Sequence, residues 1–164
     1  MSSKLNLEFV KIPAGEFMIG SDPSRDRSHH PDELPHHQLH ITDYYLMRNP
    51  VTNAQYGYFI ESTGHRKPLF WKNDHYPDAS GDHPVVGVNF FDALAFCRWA
   101  KEQTGLPLRL PSEPEWEKAA RGEDGRIYPW GDNWQDGVTN TRESKIGGTS
   151  PVGKFSPQGD SPYG

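Results

Sequence analysis

Residues Arg109 to Gly122 read Arg-Leu-Pro-Ser-Glu-Pro-Glu-Trp-Glu-Lys-Ala-Ala-Arg-Gly and contain the best-punctuated helix start in the chain. Ser112 is placed to accept from the first free amides, Pro114 falls in the first turn where its missing N–H is harmless, and Glu115 stands at the capping-box offset. The spacing predicts a helix to about Arg121, closed by Gly122. Upstream, Ala93, Phe96, Cys97 and Ala100 recur at i, i+3, i+4 and i+7, which predicts a second helix entered through Asn89–Asp92 and ended by Gly105. Ala54, Tyr56, Phe59 and Ile60 follow Thr52-Asn53 at helical intervals and predict a shorter helix to about Ser62, stopped by Gly64.

Further out the period changes to that of strands. Phe9 to Ile19 is two short apolar runs split by Pro13-Ala14-Gly15, and it reads as a hairpin. Gln38 to Met47 reads as a strand, and Pro84 to Val88 as a brief one. Residues 20–37 and 65–84 have no apolar period and read as long loops. Beyond Tyr128-Pro129-Trp130-Gly131-Asp132 there is neither helical nor strand periodicity. The class is α+β, loop-rich, with low regular secondary structure.

At 164 residues the chain is the size of one domain. Seventeen Lys and Arg against 22 Asp and Glu give a net charge of −5 without a basic block, so no nucleic-acid partner is expected. No apolar run has the roughly 18 residues a spanning helix needs, so no membrane role is expected either. The only cysteine, Cys97, can form neither an internal disulfide nor a thiolate cage, which fits a cytoplasmic setting.

In order along the chain, six blocks resemble the formylglycine-generating enzyme (sulfatase-modifying factor) family. They are Ile12-Pro-Ala-Gly-Glu-Phe-Met-Ile-Gly-Ser21, Glu33-Leu-Pro-His-His37, Pro50-Val-Thr-Asn-Ala-Gln-Tyr56, His83-Pro-Val-Val-Gly-Val88, Arg109 to Gly122, and Tyr128 to Asp132. The resemblance implies that residues 1–164 are one domain with a compact variant of the C-type-lectin fold, lacking its C-terminal third. Oxidases of the family carry in that third a cysteine pair that holds Cu(I), so copper is implied only if such a pair follows Gly164. Soft Cu(I) wants thiolates, and Cys97 alone cannot supply two. Cys97 at a helical core position reads as a small buried hydrophobe.

Three other sets of residues could carry chemistry. His29, His30, His36, His37 and His40 lie beside Asp32 and Glu33, the donor types that hold Zn or non-haem Fe, but on a Pro-broken loop. Glu113, Glu115 and Glu117 could be paired acids, although capping and the helix dipole explain them as well, and Arg109 and Arg121 read as internal ion-pair partners. Asn140-Thr-Arg-Glu-Ser-Lys-Ile-Gly147 offers the amide, carboxylate, hydroxyl and carbonyl oxygens a hard cation takes; it also reads as a surface turn. It resembles the family's calcium loop, which implies calcium with side-chain oxygens from Asn140 and Ser144 or Glu143 and carbonyls from Thr141 and Ile146.

These readings point to a non-catalytic binding or regulatory module with a peptide or protein ligand. The alternative is a piece of a copper-dependent oxidase converting a substrate cysteine to formylglycine, and a third reading is lectin-like binding of carbohydrate or protein. Residues 133–164 carry few large apolar groups, so a C-terminal remainder of the same gene product or a second copy is expected to cover them.

Overall fold

In the computed structural model, which describes residues 5–72 and 75–164, the apolar runs of the first 50 residues form two strand pairs. Strand β1 (Phe9–Ile12) pairs antiparallel with β4 (Tyr44–Met47), and β2 (Gly15–Ile19) with β3 (His37–Ile41). The expected hairpin between β1 and β2 is therefore not formed. Partner numbers add to 56 in both pairs, so residues 9–19 run alongside 37–47 in one register. The interruption falls where Pro13 stands opposite Asp43. Proline has no N–H to give the ladder, and it splits the strand expected over Gln38–Met47 in the same stroke. A hairpin of 9–12 on 15–19 could pair four residues at most, whereas the longer partner offers four and then five.

The chain divides into two units, each assembled from separate stretches of sequence. One comprises Phe9–Arg48, Pro111–Lys145 and Phe155–Gly164. Its strands pack against α3 (Glu113–Arg121), the helix expected from the Ser112 signal. The Glu115 carboxylate accepts from both the N–H and the hydroxyl of Ser112, at 2.8 and 3.0 Å, so the acid closes the first turn while Ser112 Oγ acts as donor. Ile12, Phe17 and Ala119 are buried here, and so is the whole side chain of Lys118. Its ammonium donates to the carbonyls of Pro13 and Gly15 at 2.8 and 3.1 Å and lies 5.9 Å from the centre of the Phe17 ring. Pro13 lies in the gap between β1 and β2 and Gly15 opens β2, so the ammonium bridges the break to the strand that follows it.

The other unit comprises Met1–Glu8, Asn49–Leu110 and Ile146–Lys154. It contains α1 (Asn53–Thr63) and α2 (Phe90–Thr104), capped by Thr52 and Asn89 and ended by left-handed Gly64 and Gly105. Tyr56, Phe59, Trp71, Phe96, Trp99 and Ala100 form its core. Tyr56 stacks on Phe96 at 5.8 Å, and Phe59 meets Phe96 edge-on at 5.7 Å. The strand expected over Pro84–Val88 is reduced to a single bridge between Thr52 and Pro84 and one bond from Val85 N–H to the Val51 carbonyl. Gly87 turns the chain there at φ +79°, with the Phe70 ring where a Cβ would be. Among the described residues no helix is long and apolar enough to cross a membrane.

Asp92 fixes the start of α2. It is buried, accepts from the Asn89 N–H at 2.9 Å, and pairs with both Arg66 and His65. The Arg66 guanidinium holds its carboxyl well below the usual range, with help from Asn89 and His65 and against burial. A carboxyl depressed in the folded state contributes stability that is present above its unfolded value of about 4 and lost as pH falls. Asp92→Asn is expected to cost about 1–2 kcal/mol at pH 7, since the half-exposed Arg66 is screened by water, and to flatten the acid limb of a urea-midpoint against pH curve. An unchanged acid limb would contradict this role. Lys118→Met keeps the volume but removes the ammonium's hydrogen bonds to the Pro13 and Gly15 carbonyls, and should lower the unfolding free energy by about 1–3 kcal/mol. The exposed Lys101→Met is the control, expected to stay within about 0.5 kcal/mol in the same urea titration.

Candidate metal centre

Residues Asn140 to Lys145 close a tight loop around the hydroxyl of Ser144. That hydroxyl donates to the Thr141 carbonyl at 2.6 Å and lies 3.4 Å from Asn140 Oδ1, while the Ser144 N–H also reaches the Thr141 carbonyl at 3.1 Å. A single 3-10 turn, Arg142–Ser144, makes this convergence, and Lys145 ends it in the left-handed conformation at φ 55°. Thr141 Oγ1 is buried with no hydrogen-bond partner. These contacts are hydrogen bonds within the turn, and the oxygens they gather are the donor type that a hard cation such as calcium takes. Asn140, Thr141 and Ser144 come together, Glu143 is exposed beside them, and Ile146 belongs to the other unit.

The histidines of residues 29–40 are placed apart. His29 Nδ1 meets the Asp26 carbonyl and His37 Nδ1 the Pro35 carbonyl, at 2.8 and 2.7 Å. His40 stands opposite Glu16 in the ladder, and His36 Nε2 is buried without a partner near Gly125. Among the described residues no three His, Cys, Asp or Glu side chains converge to hold a metal ion.

The three glutamates of α3 also separate by role. Glu115 caps the helix, while Glu117 accepts the Gly20 N–H at 2.9 Å and pairs with Arg121 at 2.6 Å. Arg121 then donates to the carbonyls of Gly20, Gly125 and Arg126. Both backbone groups of Gly20 are thus held by one i,i+4 ion pair, and the φ of +84° together with the Glu33 carbonyl 2.5 Å from any Cβ requires glycine there. Arg109 donates to the Leu110 carbonyl.

Cys97 lies on α2 but only partly buried, so the core positions of this helix are Phe96, Trp99 and Ala100 rather than the cysteine. The expected buried hydrophobe is thus only half realised. Burial raises its thiol pKa above the ordinary value, which disfavours the thiolate that both nucleophilic and copper-binding roles require. A single thiol does not fit a two-thiolate copper site. Carbamidomethylation by iodoacetamide at pH 7 should run slower than for a free thiol such as glutathione. A rate at or above that of glutathione would show an activated cysteine.

Residues 2–164 match the sulfatase-modifying factor enzyme 1-like domain family. The formylglycine-generating enzyme of Bos taurus is 30% identical over 93% of this chain and 53% of its own length. The protein of Bos taurus named inactive C-alpha-formylglycine-generating enzyme 2 is 28% identical over 94% of this chain and 65% of its own length. PvdO from Pseudomonas aeruginosa has the same fold, with a TM-score of 0.75 at 22% identity over 98% of this chain and 71% of that one. The chain spans about half the length of the curated relatives it matches.

Proposed function

From the premise that this chain belongs to the sulfatase-modifying factor family and has the formylglycine-generating-enzyme-like fold, we propose that it acts as a binding or regulatory module. The observation that carries this reading is the state of Cys97. It is the only thiol in 164 residues and sits half-buried on a helix, where burial pushes its pKa up. The resemblance to the family's oxidases implies a copper site of two thiolates, and these 164 residues contribute at most one. A relative named inactive shows that the fold also occurs in a protein so described.

The second reading, a part of a formylglycine-forming oxidase, is favoured by the 30% identity to the Bos taurus enzyme. An assay separates the two. The 164-residue chain, incubated with a cysteine-containing sulfatase-type peptide, Cu(I) and O₂, is expected to leave the peptide mass unchanged. Formation of the aldehyde by wild type and by Cys97→Ser alike would overturn the module reading.

Calcium belongs to the same proposal. Asn140 Oδ1, the Thr141 carbonyl and Ser144 Oγ would hold the ion, with Glu143 as the nearest carboxylate on the loop. The ion would supply a fixed positive charge that draws these oxygens together, and the unpaired buried Thr141 Oγ1 supports an additional ligand or bound water there. Binding to the native state alone should raise the melting temperature as free calcium exceeds Kd, by about 2.7 kcal/mol of stability at one hundred times Kd. No shift on titration, or a shift that persists in Asn140→Ala with Ser144→Ala, would remove calcium from the account. We also infer that a second polypeptide, a C-terminal continuation or another copy, covers part of residues 133–164, a reading supported by the exposed Trp134 indole.

A further inference from the structure

A cavity of about 400 Å³ opens between α3 and the loop after β2, a size within the range of small-ligand sites. Its floor is rigid. Gly20 is held at both backbone groups by Glu117 and Arg121, Ser21 N–H reaches the Glu33 carbonyl at 3.1 Å, and Ser21 Oγ donates to the Glu33 carboxylate at 2.5 Å. One side is apolar, from Ile19, Leu34 and Pro35, and the rim carries the Trp116 indole, 61% exposed. Four carboxylates line the space against one arginine and His37, a net charge of −3 with the imidazole neutral. Glu33 and Glu117 are engaged as described, whereas Asp32 and Glu113 have no hydrogen-bond or ionic partner among the described residues.

The charge excludes an anionic ligand. A metal ion is a poor match, because among the described residues no three acidic or imidazole side chains converge. Carboxylates distributed around an aromatic plane and an apolar wall suit a large, flat, delocalised cation on a hydrocarbon stem. We propose that this cleft binds an alkyl guanidinium group, its stem against Leu34 and Pro35, its plane on Trp116, and its N–H groups on Asp32 and Glu113. This inference is independent of calcium and of the catalytic state of the chain. Helical spacing carried a signal for it, since Glu113, Trp116, Glu117 and Arg121 fall at i, i+3, i+4 and i+8 on one face of α3.

The test follows the Trp116 indole N–H by NMR, assigned through Trp116→Phe, during titration with N-acetyl-arginine methylamide. Saturable shifts are expected, at least about tenfold weaker in Asp32→Asn with Glu113→Gln and weakened by salt. Both substitutions are at exposed positions, and an unchanged melting temperature confirms that the fold is intact. The norleucine analogue should not bind, and the acetyl-lysine methylamide analogue with its free ammonium should bind less well. A Gly-Gly-Arg-Gly-Gly peptide binding at least about tenfold tighter than the arginine derivative identifies a polypeptide as the source of the guanidinium. Equal or weaker binding identifies a small guanidine. No saturable shift, equal binding of norleucine or of the lysine analogue, or an affinity untouched by the double substitution would overturn the proposal.

Discussion

A lysine ammonium fully withdrawn from solvent organises the unit around α3. A charge in that position is tolerated only when its hydrogen bonds are satisfied, and Lys118 finds the carbonyls of Pro13 and Gly15 where the strand ladder is interrupted. The buried ammonium thereby ties α3 to the interruption between the two strand pairs. Neighbouring positions of the same helix continue the pattern, with Glu117 and Arg121 taking Gly20 from both sides and Arg121 tying down Gly125 and Arg126. In place of a large sheet, a helix of nine residues supplies hydrogen bonds to loop backbone through its side chains.

The α1–α2 unit is stabilised by different means. Six buried residues, five of them aromatic, make edge and stacked contacts that supply both apolar burial and preferred geometry. Asp92 links this core to the long loop before α2 by pairing with His65 and Arg66 while it caps the helix. A loop of low periodicity is thereby fixed at its start by one carboxylate. Polar side chains satisfying irregular backbone recur in both units, and this is how a chain with so few strands keeps an ordered fold.

Much of this was legible from local signals. All three helices were found, because Thr52, Asn89 and Ser112 are strong start signals and Gly64, Gly105 and Gly122 strong stops. Strand pairing was not, since Pro13-Ala14-Gly15 has turn chemistry and nothing local reports that residues 37–47 offer a longer partner. The strand expected at Pro84–Val88 failed because a run of valines cannot form a ladder across a proline without an N–H and a left-handed Gly87. At the candidate site, the oxygen-rich octet was visible as composition, and three of its members do converge. The role of Ser144 as their common centre depends on a 3-10 turn that no periodicity announces. Lys118 and Glu117 were hidden for a plainer reason, as a charged residue on a short helix reads by default as a solvated one.

Family membership places the fold and leaves the chemistry to the residues present, and here those residues are a lone half-buried thiol, an oxygen-rich loop and an acidic cleft beside α3. The cleft is built on Gly20 and Ser21, so it rests on α3 holding the backbone that follows β2. The most direct measurement is native-state hydrogen exchange at the Gly20 amide, whose acceptor is the Glu117 carboxylate rather than any strand. This amide is expected to open with the same free energy as the interior amides of α3, and Lys118→Met to lower both together. Fast exchange at Gly20 while α3 stays protected would show that the helix does not hold the loop, and would contradict this expectation.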